Sequence, residues 1–415
     1  MKEENDVKER NGATIGLPEL RFWHSDIEAV IFIILILLIL GSINVFSSSF
    51  VMAERDHNTP YFFIQRHAIS MVVGLIFGYI AYRLDYHKYS FLVTFLTIGL
   101  YIALISVLVF APEINGPRRW IAPVGISYLT FQPADIAKLC CIIIMSNYLF
   151  VQIKRGKKPT ILDGRNAVIF LLMAYLIYKE PDMGTAAIVI GIPLIMMLIV
   201  GLPMKEIYAV IIAAVGGSIV MVMQNTYRLE RIKVWYDPFA DALDKGYQTV
   251  RSLTAIGSGG FFGTGLGDGS SKYFYLPEAH TDFAFAVFSQ ENGFLMVLFV
   301  LTLYTALSFY TLKIARASKD VYGQIMAVGI MLLIVGQAIA NMMMVSGVLP
   351  VIGVPLPFIS YGGSSLIVSI VAVGILLNIA KQGEQARLDK VRKLKAEEKA
   401  ARASRRRPLL KLVKN

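Results

Sequence analysis

Residues 257–293 read GSGGFFGTGLGDGSSKYFYLPEAHTDFAFAVFSQENG. Two compositions meet in this stretch. Its first part is dense in Gly, polar and charged residues, and from Phe283 it passes into a long apolar run. A run of that length reads as a membrane-spanning helix, so the change of composition marks where the chain leaves the bilayer. Asp282 stands at that boundary. An ionisable group at the mouth of a span is costly to desolvate and is by default a functional candidate. An acid also suits the N-terminus of the helix that follows, where it can cap free N–H groups. The residues alone leave both readings open.

Outward from this stretch, the rest of the chain is lipid-compatible. Of 415 residues, 56% are hydrophobic and 17% charged, against roughly 25% charged in soluble domains. Apolar runs at 29–50, 68–82, 91–110, 134–151, 167–178, 183–200, 207–223, 283–312, 325–345 and 364–379 predict ten spanning helices. The fold class is therefore all-α and polytopic. A polar cytoplasmic segment is expected over 1–28, a transmembrane domain over 29–380, and a basic cytoplasmic tail over 381–415. Within the domain, 224–282 forms a large extracytoplasmic loop between helices 7 and 8. The fifth run is short and flanked by Lys179, Glu180 and Pro181, which predicts irregular structure at its outer end.

Ten spans put both termini on one side. Short loops carrying Arg83 and Lys88, Lys154 to Arg165, Lys205, and Lys313 to Lys319, together with the basic tail, place that side in the cytoplasm. The net charge of +11 is explained by this topology, not by nucleic acid. The tail reads as a solvated segment near anionic membrane lipids. No signal peptide is visible, since the first apolar run is long enough to span.

Three outer segments, 111–133, 224–281 and 346–363, collect Gly, Pro and charge. Segments of this kind are more often functional than idle. In the first, Arg118 and Arg119 precede Trp120, which either stacks on a sugar face or sits in the headgroup belt. Just after it, Lys138 follows Asp135 by three residues on one helix face. The two form a pair, or Lys138 faces a cavity and holds an anion such as a phosphate. In the second, Arg228 and Arg231 give a general anion-binding signal. Gly263-Thr264-Gly265-Leu266-Gly267 is neither a Walker A loop nor a dinucleotide fingerprint. His280 and Asp282 lack the i, i+4 spacing of a zinc helix, so no metal site is read. Nothing resembles a nucleophile elbow. Cys140 and Cys141 are adjacent in an apolar run and read as core residues. A carboxylate base is the most economical catalytic reading, with Asp282 in that role. Glu291 lies nine residues further along the same span, and a pairing with Lys138 is one reading of it. The third segment, through Ser360, breaks helix repeatedly, which at membrane depth is tolerated where it is buried in protein or lines a cavity.

Taken together, NG-PRRW with FQPADIAKL, EPDMGTA, YRLERI-VWYDP with GYQ, AIGSGGFFGTGLGDG, YLPEAHTDFAFAV and GVLPVIGVPLPFISYGGSS resemble the SEDS family of FtsW, RodA and SpoVE. YLPEAHTDF looks more like the FtsW branch, since RodA usually carries arginine at the alanine position. The resemblance implies a ten-helix peptidoglycan glycosyltransferase of the bacterial cytoplasmic membrane, polymerising lipid II at its outer face during division or elongation. Asp282 matches the family's catalytic aspartate, Trp120 a tryptophan needed for activity, and Lys138 a lysine of the substrate cavity. Arg118, Arg119, Arg228, Arg231, Glu291, His280 and Ser360 complete the candidate substrate-binding set. The resemblance also admits a divalent cation, Mg2+ or Mn2+. It implies a cognate class B penicillin-binding protein and other divisome proteins as partners. A lipid II flippase and a non-catalytic division scaffold are the competing readings. The chain departs from the family at Gln290-Glu291-Asn292-Gly293, where Glu-Glu-hydrophobic-Gly is usual.

Overall fold

The computed structural model describes residues 23, 25–110, 119–121, 130–161, 163–223, 233–244, 246–273 and 276–412. All ten apolar runs are helices. They are α1 (Asp26–His57), α2 (Phe62–Arg83), α3 (His87–Phe110), α4 (Pro133–Lys154), α5 (Gly164–Lys179), α6 (Met183–Val200), α7 (Met204–Met223), α9 (Ala284–Ala317), α10 (Val321–Val345) and α11 (Gly363–Leu412). An eleventh, α8 (Tyr247–Gly259), lies in the long segment between α7 and α9. Among the described residues, eight helices are long and apolar enough to cross a membrane. The 16-residue α5 and α7 fall outside that count. At 1.5 Å per residue α5 spans only about 24 Å, and the chain turns at Glu180–Asp182 where irregularity was expected.

Helix α4 is the centre of the bundle. Almost every side chain from Pro133 to Leu149 is buried, and it packs against α3, α6 and α10. Cys140 and Cys141 are free thiols inside it. Helices α2 and α11 pack closely because Gly74 and Gly78 face Ile370, and Gly374 faces Gly78 in return. Small residues four apart let two membrane helices approach backbone to backbone.

Two helices are interrupted within their length. In α10, Leu332–Gly336 is a π-helical turn, a feature common at functional sites. Beyond it, Gln337 Nε2 donates to the Pro355 carbonyl at 2.8 Å. Asn341 Nδ2 donates to the Val354 and Asp282 carbonyls at 2.6 and 2.8 Å. These amides satisfy two carbonyls of the irregular 346–362 segment and one just before α9. The same segment lies directly on two other helices: a Cβ at Gly41 would overlap the Phe358 carbonyl, and one at Gly184 the Ile352 carbonyl. The Tyr304 hydroxyl donates to the Pro357 carbonyl.

Helix α9 breaks at Gly293, whose φ is 73°. The Gly-rich loop after α8 fills the break. Thr264 N donates to the Gln290 carbonyl at 3.0 Å, Gly265 N to the Glu291 carbonyl at 3.1 Å, and Phe294 N to the Gly260 carbonyl at 3.0 Å. Backbone groups released by the kink are thus paired with the loop. Gly263 has φ 84°, and a Cβ there would overlap the Glu291 backbone. Gly263→Ala is therefore expected to cost at least ~1–2 kcal/mol from conformation alone, read as a lower unfolding midpoint in detergent. An unchanged midpoint would show that the loop is not held at the kink.

Candidate active site

Hydrogen bonds and close approaches gather Arg119 with Glu180, Gln132 with Asp182, and Asp282 with Asn341 and the 346–362 segment at one end of the bundle. Asp282 is partly buried, immediately before α9. The cap of α9 is Phe283, and no side chain closes that end. The capping reading of Asp282 is therefore excluded: its backbone carbonyl is held by Asn341, while its carboxylate accepts no hydrogen bond from the described residues. A Cβ added at Gly353 would sit 3.3 Å from Asp282 Oδ2, so the glycine leaves room beside the carboxyl. Burial, then the neighbouring charges of Glu278 and Asp182, push the Asp282 carboxyl up to about 7, against the opposing pull of Arg119 and Lys138.

Two cations face this acid. Lys138 is 1% exposed. Its Nζ lies 2.7 Å from Asp135 Oδ1 and 3.5 Å from Gln337 Oε1. The pair that the sequence offered is formed, and it continues outward. Ser364 Oγ donates to Asp135 Oδ2 at 2.6 Å, Gln132 N donates to Ser364 Oγ at 3.3 Å, and Gln132 Nε2 donates to Asp182 Oδ2 at 2.8 Å. Asp182 also caps α6 through Thr185 N at 3.0 Å. Arg119 is the second cation. Its Nε donates to the Glu180 carbonyl at 2.8 Å and its Nη2 to the Pro181 carbonyl. Trp120 is partly buried beside it. The next residue, Ile121, forms a two-bond bridge with Phe131 at 2.8 and 2.9 Å, two residues before α4 begins.

The other candidates sit differently. Glu291 was expected on the substrate, and a pairing with Lys138 was one reading. Instead it is 2% exposed and paired with Lys272, Nζ to Oε1 at 2.9 Å, while Ser47 Oγ donates to it at 2.6 Å. Lys138 is occupied by Asp135, so the proposed Glu291–Lys138 pair is absent. Ser360 is 3% exposed, and its Oγ accepts from Leu356 N at 2.9 Å, which locks the irregular segment on itself. His280 is buried between the rings of Phe63 and Tyr361, with centroids at 4.7 and 5.6 Å, and its carbonyl accepts from Tyr361 N. Burial holds its imidazole below the usual range. Arg118, Arg228 and Arg231 lie outside the described residues. Among the described residues no group of three or more His, Cys, Asp or Glu is placed to hold a metal ion.

A family model described as "Cell cycle protein", covering FtsW, RodA and SpoVE, matches residues 28–385. The chain belongs to the FtsW/RodA/SpoVE family. A probable peptidoglycan glycosyltransferase FtsW from Geobacter sp. (strain M18) is 35% identical over 357 residues, 85% of this chain and 95% of that protein. Stage V sporulation protein E of Bacillus subtilis (strain 168) is 34% identical over 361 residues, 85% of this chain and 96% of that protein. Among solved structures, a chain from a peptidoglycan synthase complex that coordinates polymerisation and crosslinking superposes with a TM-score of 0.69 at 25% identity. That match covers 86% of this chain and 98% of the other. Thermus thermophilus RodA superposes with a TM-score of 0.61 at 24% identity, covering 85% of this chain and 95% of that one, a likeness of fold.

This FtsW/RodA/SpoVE member also places residues at the site that sequence reasoning passed over. Glu180 appeared only as a flank of the short fifth run, yet it is fully buried beside Arg119. Asp182 and Gln132 link the first segment to α6. The available signal was EPDMGTA itself, two acids around a proline at a helix break, where backbone groups need partners. Gln290, the departure from the usual Glu, donates to Ser258 and Ser270 hydroxyls at 2.8 and 3.2 Å and accepts from Ser271 N at 3.1 Å. Lys272 balances the single acid Glu291, and a second carboxylate at position 290 would have no cation of its own.

Proposed function

We propose that this chain, a peptidoglycan glycosyltransferase of the FtsW-like branch, polymerises lipid II at the outer face of the cytoplasmic membrane with Asp282 as general base. The observation that supports this reading most is the Asp282 carboxylate: raised toward neutral pH, without a hydrogen bond from the described residues, and within the field of Arg119 and Lys138. Asp282 takes the proton of the acceptor's GlcNAc 4-hydroxyl. That oxygen bonds to the anomeric carbon of the donor MurNAc. The bond from that carbon to the diphosphate oxygen breaks, its electron pair leaves with undecaprenyl diphosphate, and the α linkage becomes β. Base catalysis supplies about 10²–10⁴-fold, so orientation and stabilisation of the leaving diphosphate must supply much of the rest. Arg119 is the more accessible cation for that task. Lys138, buried on Asp135, acts through the field it adds at Asp282.

In this reading the termini are cytoplasmic, which puts Asp282 and the 346–362 segment outside. A class B penicillin-binding protein is the partner in keeping with the synthase complex to which the chain is similar. The test is polymerisation of labelled lipid II by the purified chain in detergent, with and without that partner. Glycan strands are expected. A chain that binds lipid II but forms no polymer under either condition would return the transport and scaffold readings. Because the base must be ionised, the rate is expected to rise with pH through about 7, the direction set by the raised Asp282 pKa.

A further inference from the structure

Among the described residues Glu180 is the one carboxylate whose two oxygens are both buried and without a hydrogen-bond donor. It is 0% exposed. Its own carbonyl and that of Pro181 accept from Arg119, so the guanidinium is bound to the backbone at 180–181 and not to the Glu180 carboxyl. Carbonyls anchor Arg119 without neutralising it. An ionised carboxylate at Glu180 would compete for that cation, since a charge-assisted bond is stronger than one to a neutral carbonyl. The charged groups facing Glu180 are Asp182, from the α5–α6 turn, Arg119, from the α3–α4 segment, and Asp135, from α4. Asp135 is neutralised by Lys138. Asp182 is held by the Gln132 amide and the Thr185 backbone N–H.

We propose that Glu180 is a positioning residue that works as an uncharged carboxylic acid, keeping Arg119 seated on the 180–181 carbonyls with its positive charge available to the donor diphosphate. The proposal rests on the reading of Asp282 and Arg119 given above and adds a second titrating group to it. Burial first, then the charge of Asp182, push the Glu180 carboxyl up to about 8. Below that pH it is neutral and Arg119 is free for substrate. Above it, the new anion draws Arg119 inward. The pH profile of polymerisation thus gains an alkaline limb beside the acid limb set by Asp282. The same shift bears on stability. The folded pKa is raised above the ordinary glutamate value of 4.5, so the folded state holds the proton more tightly. Stability on this account falls as pH rises from the unfolded pKa to about 8 and is then fully lost.

Glu180→Gln, which keeps the shape and removes the ionisation, tests this. The variant should remain an active polymerase at pH 7.5, at or slightly above the wild-type rate. At pH 9, where about a tenth of the wild-type carboxyl stays protonated, it should be up to about tenfold more active than wild type. Its unfolding midpoint should exceed the wild-type value by more at pH 9 than at pH 6. Infrared difference spectra should lose one protonated-carboxyl band in the variant at neutral pH. An unchanged alkaline limb, a folded but inactive Glu180→Gln protein at pH 7.5, or no band lost would each overturn the proposal. Asp282→Asn assayed in parallel separates the two ideas. Full activity there sinks the base assignment, whereas its loss together with an unaltered alkaline limb in Glu180→Gln sinks only the role of Glu180.

Discussion

Asp282→Asn is expected to lower lipid II polymerisation by about 10²–10⁴-fold while leaving the protein folded and monodisperse. The two halves of that expectation have different causes. The carboxylate bonds to no described donor, so the amide forfeits no structural contact, and Asn341 holds the backbone carbonyl of residue 282 whatever its side chain. Removing a desolvated acid also relieves repulsion from Glu278 and Asp182, so the unfolding midpoint should hold or rise. What disappears is the proton acceptor. The measurement is initial rate per folded protein, with substrate binding followed separately. A folded variant within a few-fold of wild type would remove Asp282 from the chemistry.

The second large effect is structural. In Lys272→Met, Glu291 stays buried with Ser47 as its remaining side-chain partner. Breaking a buried ion pair from one side costs about 3–5 kcal/mol because the other charge is left uncompensated. Lys272→Met/Glu291→Gln removes both charges and should recover most of that loss. Gln290→Glu should destabilise for the complementary reason, since a second acid would share one lysine. Unfolding midpoints of the three variants in one detergent decide it. Equal loss in the single and double variants would mean that shape, not charge, matters at this junction. The same arithmetic applies to Lys138→Ala, whose partner Asp135 is 6% exposed. A fall in its activity must be read against its folded fraction.

The ten helices were legible because a lipid-crossing helix announces itself locally, through twenty or so apolar residues in a row. Asp282 was legible for the same reason, as a charge at the edge of such a run. Lys138 and Asp135 were legible as a pair because three residues on a helix bring two side chains together. The partner of Glu291 was not. Lys272 lies 19 positions away across an irregular loop, and no periodicity links the two. Nor was Arg119's grip on the 180–181 backbone, since it depends on how a 16-residue helix ends against a segment from elsewhere in the chain. The break at Gly293 could not be read either. A glycine inside an apolar run is common, and only the loop that enters the gap gives it meaning.

Helix α11 carries one mechanical consequence. It runs unbroken for 50 residues, about 75 Å at the helical rise, and its second residue, Ser364, donates to the Asp135 carboxylate that holds Lys138. The basic stretch beyond Lys381 is therefore the far end of a helix whose near end contacts Asp135 in the candidate site. Gly74, Gly78 and Gly374 seat this helix against α2 where it crosses the bundle, so the basic tail and Ser364 are the two ends of one continuous element.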